Sequence, residues 1–267
     1  MKKFMSTLTF ATILAGCTVS GQVGDGRAFS IVQMESLTQT YYKEFVTNEK
    51  VSNNFKQDLR RTECMLRALT RSVDGAYAGL RTEWNVDMLR ECRMNAALLD
   101  TGTLIISNCV PSLIENQDQT AYIVAHAFAH SLLEHDNQRA STFLKEKMGQ
   151  DGFEFKKYLR TKAGYAEFTR ALGLIDSDNQ ITPYTKEQEQ AADTLALQMM
   201  VKAGFNPSSV LILWQNMKND PSLHAEKYVQ MHPHSDEDLI VLSNAIQKLA
   251  PLLQTARNDY GRFPQCQ

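Results

Sequence analysis

The chain has no excess of positive charge, no apolar run long enough to remain in a bilayer, no internal repeat and no low-complexity tract. With 28 Lys and Arg against 30 Asp and Glu, the formal net charge is −2, and nothing points to a nucleic-acid partner. Cysteine is sparse, at five residues. What remains is ordinary: 267 residues with 43% hydrophobic content, enough for one substantial core or a core with a small helical satellite. One domain is expected.

At the N-terminus Lys2 and Lys3 precede an apolar run from Leu8 to Leu14, of a length suited to export and too short to span a bilayer permanently. It ends in Leu14-Ala15-Gly16-Cys17, which resembles a bacterial lipobox. That implies cleavage before Cys17, a lipid on its sulfur, and a flexible tether from Cys17 to residue 28 containing Gly21, Gly24 and Gly26. Thr18 rather than Asp after the cysteine favours the outer membrane by the same resemblance; a bare signal peptide with an incidental cysteine is the alternative. Loss of residues 1 to 16 deletes two lysines and no acids, taking the formal charge from −2 to −4. Cys64, Cys92, Cys109 and Cys266 are then left, and an even remainder in an oxidising compartment suggests two disulfides.

Residues 29 to 46 and 52 to 73 read as two amphipathic helices. Trp84 to Leu89 alternates weakly, and Met94 to Leu99 and Thr103 to Ser107 flank an Asp100-Thr101-Gly102 turn, giving a small β-hairpin preceded by another strand. With the turn centred between Asp100 and Thr101, Cys92 and Cys109 fall opposite each other, which makes a Cys92–Cys109 bridge geometrically possible and leaves Cys64 with Cys266. A long helix follows from about Asp118 to at least Asp136, running on through Leu144. Residues 153 to 172 form a helical insertion ending at Gly173, a wall or a mobile lid of a cleft. Thr185 and Gln188 make a capping box for a helix that stops at Gly204; Asn206-Pro207 starts another through Met217; a last one runs from Asp236 to Tyr260.

The chemistry centres on Ala121 to His135. Its apolar residues lie on almost every side, as in a buried helix, and His126 and His130 share one face at i, i+4, where two imidazoles reach a single zinc ion. An isolated H-x-x-x-H fits a pair of hydrogen-bonded core histidines equally well. A third ligand is offered by Glu189 within Glu189-Gln-Ala-Ala-Asp193, where Asp193, one turn on, is placed to accept from the far nitrogen of a ligand imidazole. That helix is otherwise apolar, which argues against a solvated face. In H-E-x-x-H peptidases the residue after the first histidine is the glutamate that takes the proton from the attacking water, and here it is Ala127.

Four ordered blocks carry a resemblance: Asn95 to Gly102 with Leu104-Ile-Ile, Glu115 to His126, Thr185 to Asp193 with Lys202 to Pro207, and His232-Pro233. Together they are similar to the gluzincin-type metallopeptidases that include the CAAX prenyl-protein protease, the heat-shock protease HtpX and the periplasmic protease BepA. The resemblance covers about residues 84 to 240 and implies a mainly helical α+β, zincin-like fold over residues 29 to 267 with a small sheet beside the zinc helix. It implies one Zn2+ per chain held by His126, His130 and Glu189, with Asp193 behind them and His232 as an oxyanion stabiliser or a removable fourth ligand. Two departures stand out: Ala127 for the general base, and Asp238 where relatives usually have arginine. Two functions are therefore expected: a quality-control metalloendopeptidase acting on unfolded or misassembled envelope proteins, or a pseudopeptidase that binds such peptides as a chaperone or adaptor. Either would face the periplasm, anchored to the membrane by lipid. Glu134, His135 and His234 are substitute bases to consider; Glu134 lies about 6 Å along the helix axis from His130, and the two histidines are expected to be exposed.

Overall fold

The computed structural model describes residues 27–48, 51, 55–73, 83–90, 96–108, 110, 114, 116–148, 154–173, 180–260 and 265–266. Cys17, the segment before it, and both Cys92 and Cys109 lie outside the described residues. In order the elements are α1 (Ile31–Asn48), α2 (Lys56–Ser72), β1 (Asn85–Leu89), β2 (Ala96–Leu98), β3 (Thr103–Ser107), α3 (Gln117–Leu132), α4 (His135–Met148), α5 (Phe155–Tyr158) and α6 (Lys162–Ala171). Then come α7 (Lys186–Lys202), α8 (Ser209–Asn219), a 3-10 turn at Pro221–Leu223, α9 (Glu226–Met231) and α10 (Asp236–Tyr260). This is the mainly helical α+β architecture expected.

The strand order is β1-β3-β2, with β1 parallel and β2 antiparallel to β3. Leu98 pairs with Leu104 and Ala96 with Ile106, so the hairpin centres on Thr101, half a residue later than the sequence suggested. Gly102 supplies the positive φ of 78° that closes the turn. Pleating sends alternate side chains to opposite faces, and both faces are buried. Val86, Met88, Ala96, Leu98, Leu104 and Ile106 join the main core around α3, α7 and α8. Leu89, Ala97, Leu99 and Ile105 join a second core with Met34, Ala140, Phe168 and Leu172. The sheet is thus a partition between α3 on one side and α1, α4 and α6 on the other.

Helix α3 is buried at every position from Thr120 to His130, as its all-round apolar pattern requires. Asn116 caps it, accepting from the Asp118 amide at 2.8 Å. The expected continuation through Leu144 does not occur. The Leu133 amide closes the last turn on Ala129, and Glu134 takes a left-handed φ of 54°, so the chain breaks and restarts as α4 at His135. The Glu134 carboxylate holds this bend by pairing with Arg27 and by accepting from Asn137 Nδ2 at 3.1 Å.

Helix α7 begins with the expected Thr185–Gln188 capping box and ends before Gly204, whose φ is 87°. Helix α8 starts at Ser209, two residues after Pro207, and is preceded by a turn in which Asn206 Oδ1 accepts from the Ser208 amide at 3.0 Å. A disulfide joins Cys64 of α2 to Cys266, across a sequence separation of 202. The Cys266 amide also donates to Gln117 Oε1 at 3.3 Å, tying the C-terminal end to the start of α3.

Candidate metal centre

One turn of α3 separates His126 from His130, and their Nε2 atoms lie 2.9 Å apart on the face turned to α7. From α7, Glu189 reaches between them: Oε2 is 3.4 Å from His126 Nε2 and Oε1 is 3.4 Å from His130 Nε2. His232, at the C-cap of α9, completes the group, with Nδ1 3.1 Å from Glu189 Oε1 and 3.2 Å from His126 Nε2. Each of the four offers one ligand atom, all lie within 4.8 Å of one another, and all four side chains are buried.

The electrostatics of the cluster suit a cation. Burial disfavours a charged His126, but the Glu189 and Asp193 carboxylates outweigh it and raise the pKa to about 9. Burial leaves His130 well below the usual range and His232 at about 4. Burial opposes ionisation of Glu189, yet the facing His232 and His126 hold its carboxyl well below the ordinary range. Its Oε2 and His232 Nε2 are buried without a hydrogen-bond partner. Converging lone pairs, an ionised carboxylate and one retained proton describe a pocket that a cation fits. Three imidazole nitrogens and one carboxylate oxygen form a zinc-type donor set.

Behind His126, Asp193 Oδ1 sits 3.1 Å from Nδ1, as the i, i+4 pairing with Glu189 suggested. Asp193 also accepts from Tyr122 Oη at 2.5 Å and faces His234 Nε2 at 2.8 Å, while Trp214 Nε1 donates to Tyr122 Oη at 3.1 Å. Although burial opposes it, these histidine contacts keep Asp193 well below the ordinary carboxylate range. His234 is only 8% exposed and His135 4%, contrary to the expectation of solvent-facing residues. His135 Nδ1 lies 2.8 Å from His130 Nδ1, and Tyr184 stacks on His130 at 3.6 Å with the Arg139 guanidinium 3.9 Å over the Tyr184 ring.

Ala127 sits in α3 at 4% exposure, packed in the main core. Asp238, which stands where relatives usually have arginine, accepts from the Ser235 amide at 3.0 Å, from Gln190 Nε2 at 3.0 Å and pairs with Lys186 at 3.1 Å, which fastens the start of α10 to α7. The residues that sequence reasoning missed are Tyr122, Tyr184 and Trp214. Tyr122 lies one turn before His126 on α3, an i, i+4 signal that was available, whereas Tyr184 and Trp214 arrive from the segment before α7 and from α8 and carry none.

This helix pair, cradle and buried sheet define a zincin-like metallopeptidase scaffold. Residues 58–245 match the model of Peptidase family M48, and the chain belongs to that family. Its cofactor is zinc. The chain is 23% identical over 199 residues to the mitochondrial metalloendopeptidase OMA1 of Schizosaccharomyces pombe, covering 73% of this chain and 56% of that protein. It is 20% identical over 189 residues to the β-barrel assembly-enhancing protease of Escherichia coli, covering 68% and 38%. The Saccharomyces cerevisiae OMA1 is 26% identical over 154 residues, covering 55% and 41%. The chain thus spans little more than half, or less, of the length of these curated relatives.

Proposed function

We propose that this protein is a zinc-holding pseudopeptidase of the bacterial envelope, which binds unfolded or misassembled envelope proteins while hydrolysing them slowly or not at all. The carrying observation is the fate of the carboxylates around Ala127. Glu189 belongs to the donor set; Asp193 is engaged by His126, His234 and Tyr122; Glu134 is turned away to Arg27 and Asn137. A methyl group at 127 moves no proton, and none of these three is left to replace it. His126, His130 and Glu189 are the assigned ligands, with His232 as the fourth, and Asp193 orients His126. Bound zinc would supply Lewis acidity toward a peptide carbonyl and lower the pKa of water. Loss of a placed base costs about 10² to 10⁴ in rate, so residual cleavage is compatible with the cradle alone.

The envelope assignment draws on the lipobox-like Leu14-Ala15-Gly16-Cys17, which would tether the domain at the outer membrane facing the periplasm, and on a relative named for enhancing β-barrel assembly. The intact donor set favours a second reading, a quality-control metalloendopeptidase acting on unfolded or misassembled envelope proteins. Metal analysis with a casein-type proteolysis assay tests the proposal: about one zinc per chain and little or no cleavage are expected. Rapid cleavage abolished by His130→Ala would overturn it.

A further inference from the structure

A ligand histidine needs both ring nitrogens placed, because a proton fixed on one leaves the lone pair of the other free for the metal. For His126 the far nitrogen faces the Asp193 carboxylate. For His130 it faces another imidazole: His130 Nδ1 and His135 Nδ1 are 2.8 Å apart, both residues are buried, and His130 Nε2 points into the donor set, 3.4 Å from Glu189 Oε1. We propose that His135 is a positioning residue for His130, accepting the Nδ1 proton of His130 so that its Nε2 is bare toward the metal. This rests on the zinc reading of the donor set and adds a residue to it.

Two nitrogens at that separation share one proton. Were His135 the donor, the proton of a neutral His130 would sit on Nε2 and point at Glu189, blocking the cation; metal occupancy therefore selects His130 as donor. The backbone explains how His135 arrives there. In an unbroken helix a residue five positions on lies roughly 140° around the axis and cannot face His130. The left-handed Glu134 breaks that geometry and turns His135 back over the last turn of α3. Arg27 and Asn137 hold the bend through the Glu134 carboxylate, and Tyr184, stacked at 3.6 Å, covers the face of the His130 ring.

The test measures zinc affinity of the purified full chain by chelator competition for wild type, His135→Phe and His135→Asn, together with long-range 1H–15N NMR of the zinc-loaded wild type. His135→Phe fills the space without an acceptor and is expected to bind zinc about 10- to 100-fold more weakly. His135→Asn keeps an acceptor and recovers most of that loss, which simple filling of the core would not produce. In the wild type, the spectrum is expected to show a proton on His130 Nδ1 coupled across the hydrogen bond to an unprotonated His135 Nδ1. Unchanged affinity in His135→Phe, or a proton resident on His135 Nδ1, overturns the inference while leaving the zinc reading intact. A wild type that takes up no zinc overturns both. Should His135→Phe fail to fold, the wild-type spectrum decides alone.

Discussion

His126, His130, Glu189 and Asp193 meet because two helices each place a pair of side chains one turn apart, and that spacing was legible in the sequence. His126→Ala or Glu189→Ala is expected to abolish stoichiometric zinc, read by metal analysis of the purified variant; full occupancy in either would refute the ligand set. His135 and His234 were not legible, since one is recruited by a backbone break and the other by the turn after α9. Asp136 gives a prediction free of the metal. Burial raises its pKa from 3.8 to about 7, with Arg139 partly opposing. Because the folded state holds this proton over a range where the unfolded chain has lost it, stability falls as pH rises from about 4 to about 7 and levels off above. Asp136→Asn keeps an acceptor for Tyr184 and is expected to remove that fall, on the order of a few kcal/mol. Urea unfolding of both proteins near the two ends of that range, at about pH 4 and about pH 7.5, checks it; parallel pH profiles would show that Asp136 titrates normally.

Among the elements, helices with a signal at their ends were read well: the capping box and Gly204 bound α7, and α10 runs from Asp236 to Tyr260 as its apolar stripe indicated. The α3–α4 break was missed because Glu134 is a good helix former whose left-handed backbone is imposed by its surroundings rather than by residue type. The short α9 and the 3-10 turn are too brief to show a period. The break makes a sign prediction. In a continuous helix Glu134→Ala would be more stable than Glu134→Gly by about 1 kcal/mol. At a left-handed position the order reverses by about 1 kcal/mol, since glycine pays no Cβ penalty there and both variants lose the same carboxylate. Comparing the two by denaturant unfolding tells the geometries apart.

Across the described residues, two cores share one sheet, and the donor set links α3, α7 and the segment after α9 on the side of the sheet where the main core lies. The Cys64–Cys266 bridge closes most of the described chain into one loop. Cys64→Ser with Cys266→Ser is expected to lower unfolding stability by roughly 2 to 4 kcal/mol while leaving zinc content unchanged, measured by urea titration and metal analysis. Loss of zinc with the bridge would show that the two devices are coupled. The central claim, a metal cradle without its base, is tested most directly by the rate of casein cleavage by zinc-loaded wild type and Ala127→Glu side by side. A wild-type rate at or near background, rising by up to about 10² to 10⁴-fold in Ala127→Glu, is the expected result. Fast wild-type cleavage that Ala127→Glu leaves unchanged and His130→Ala abolishes would contradict it.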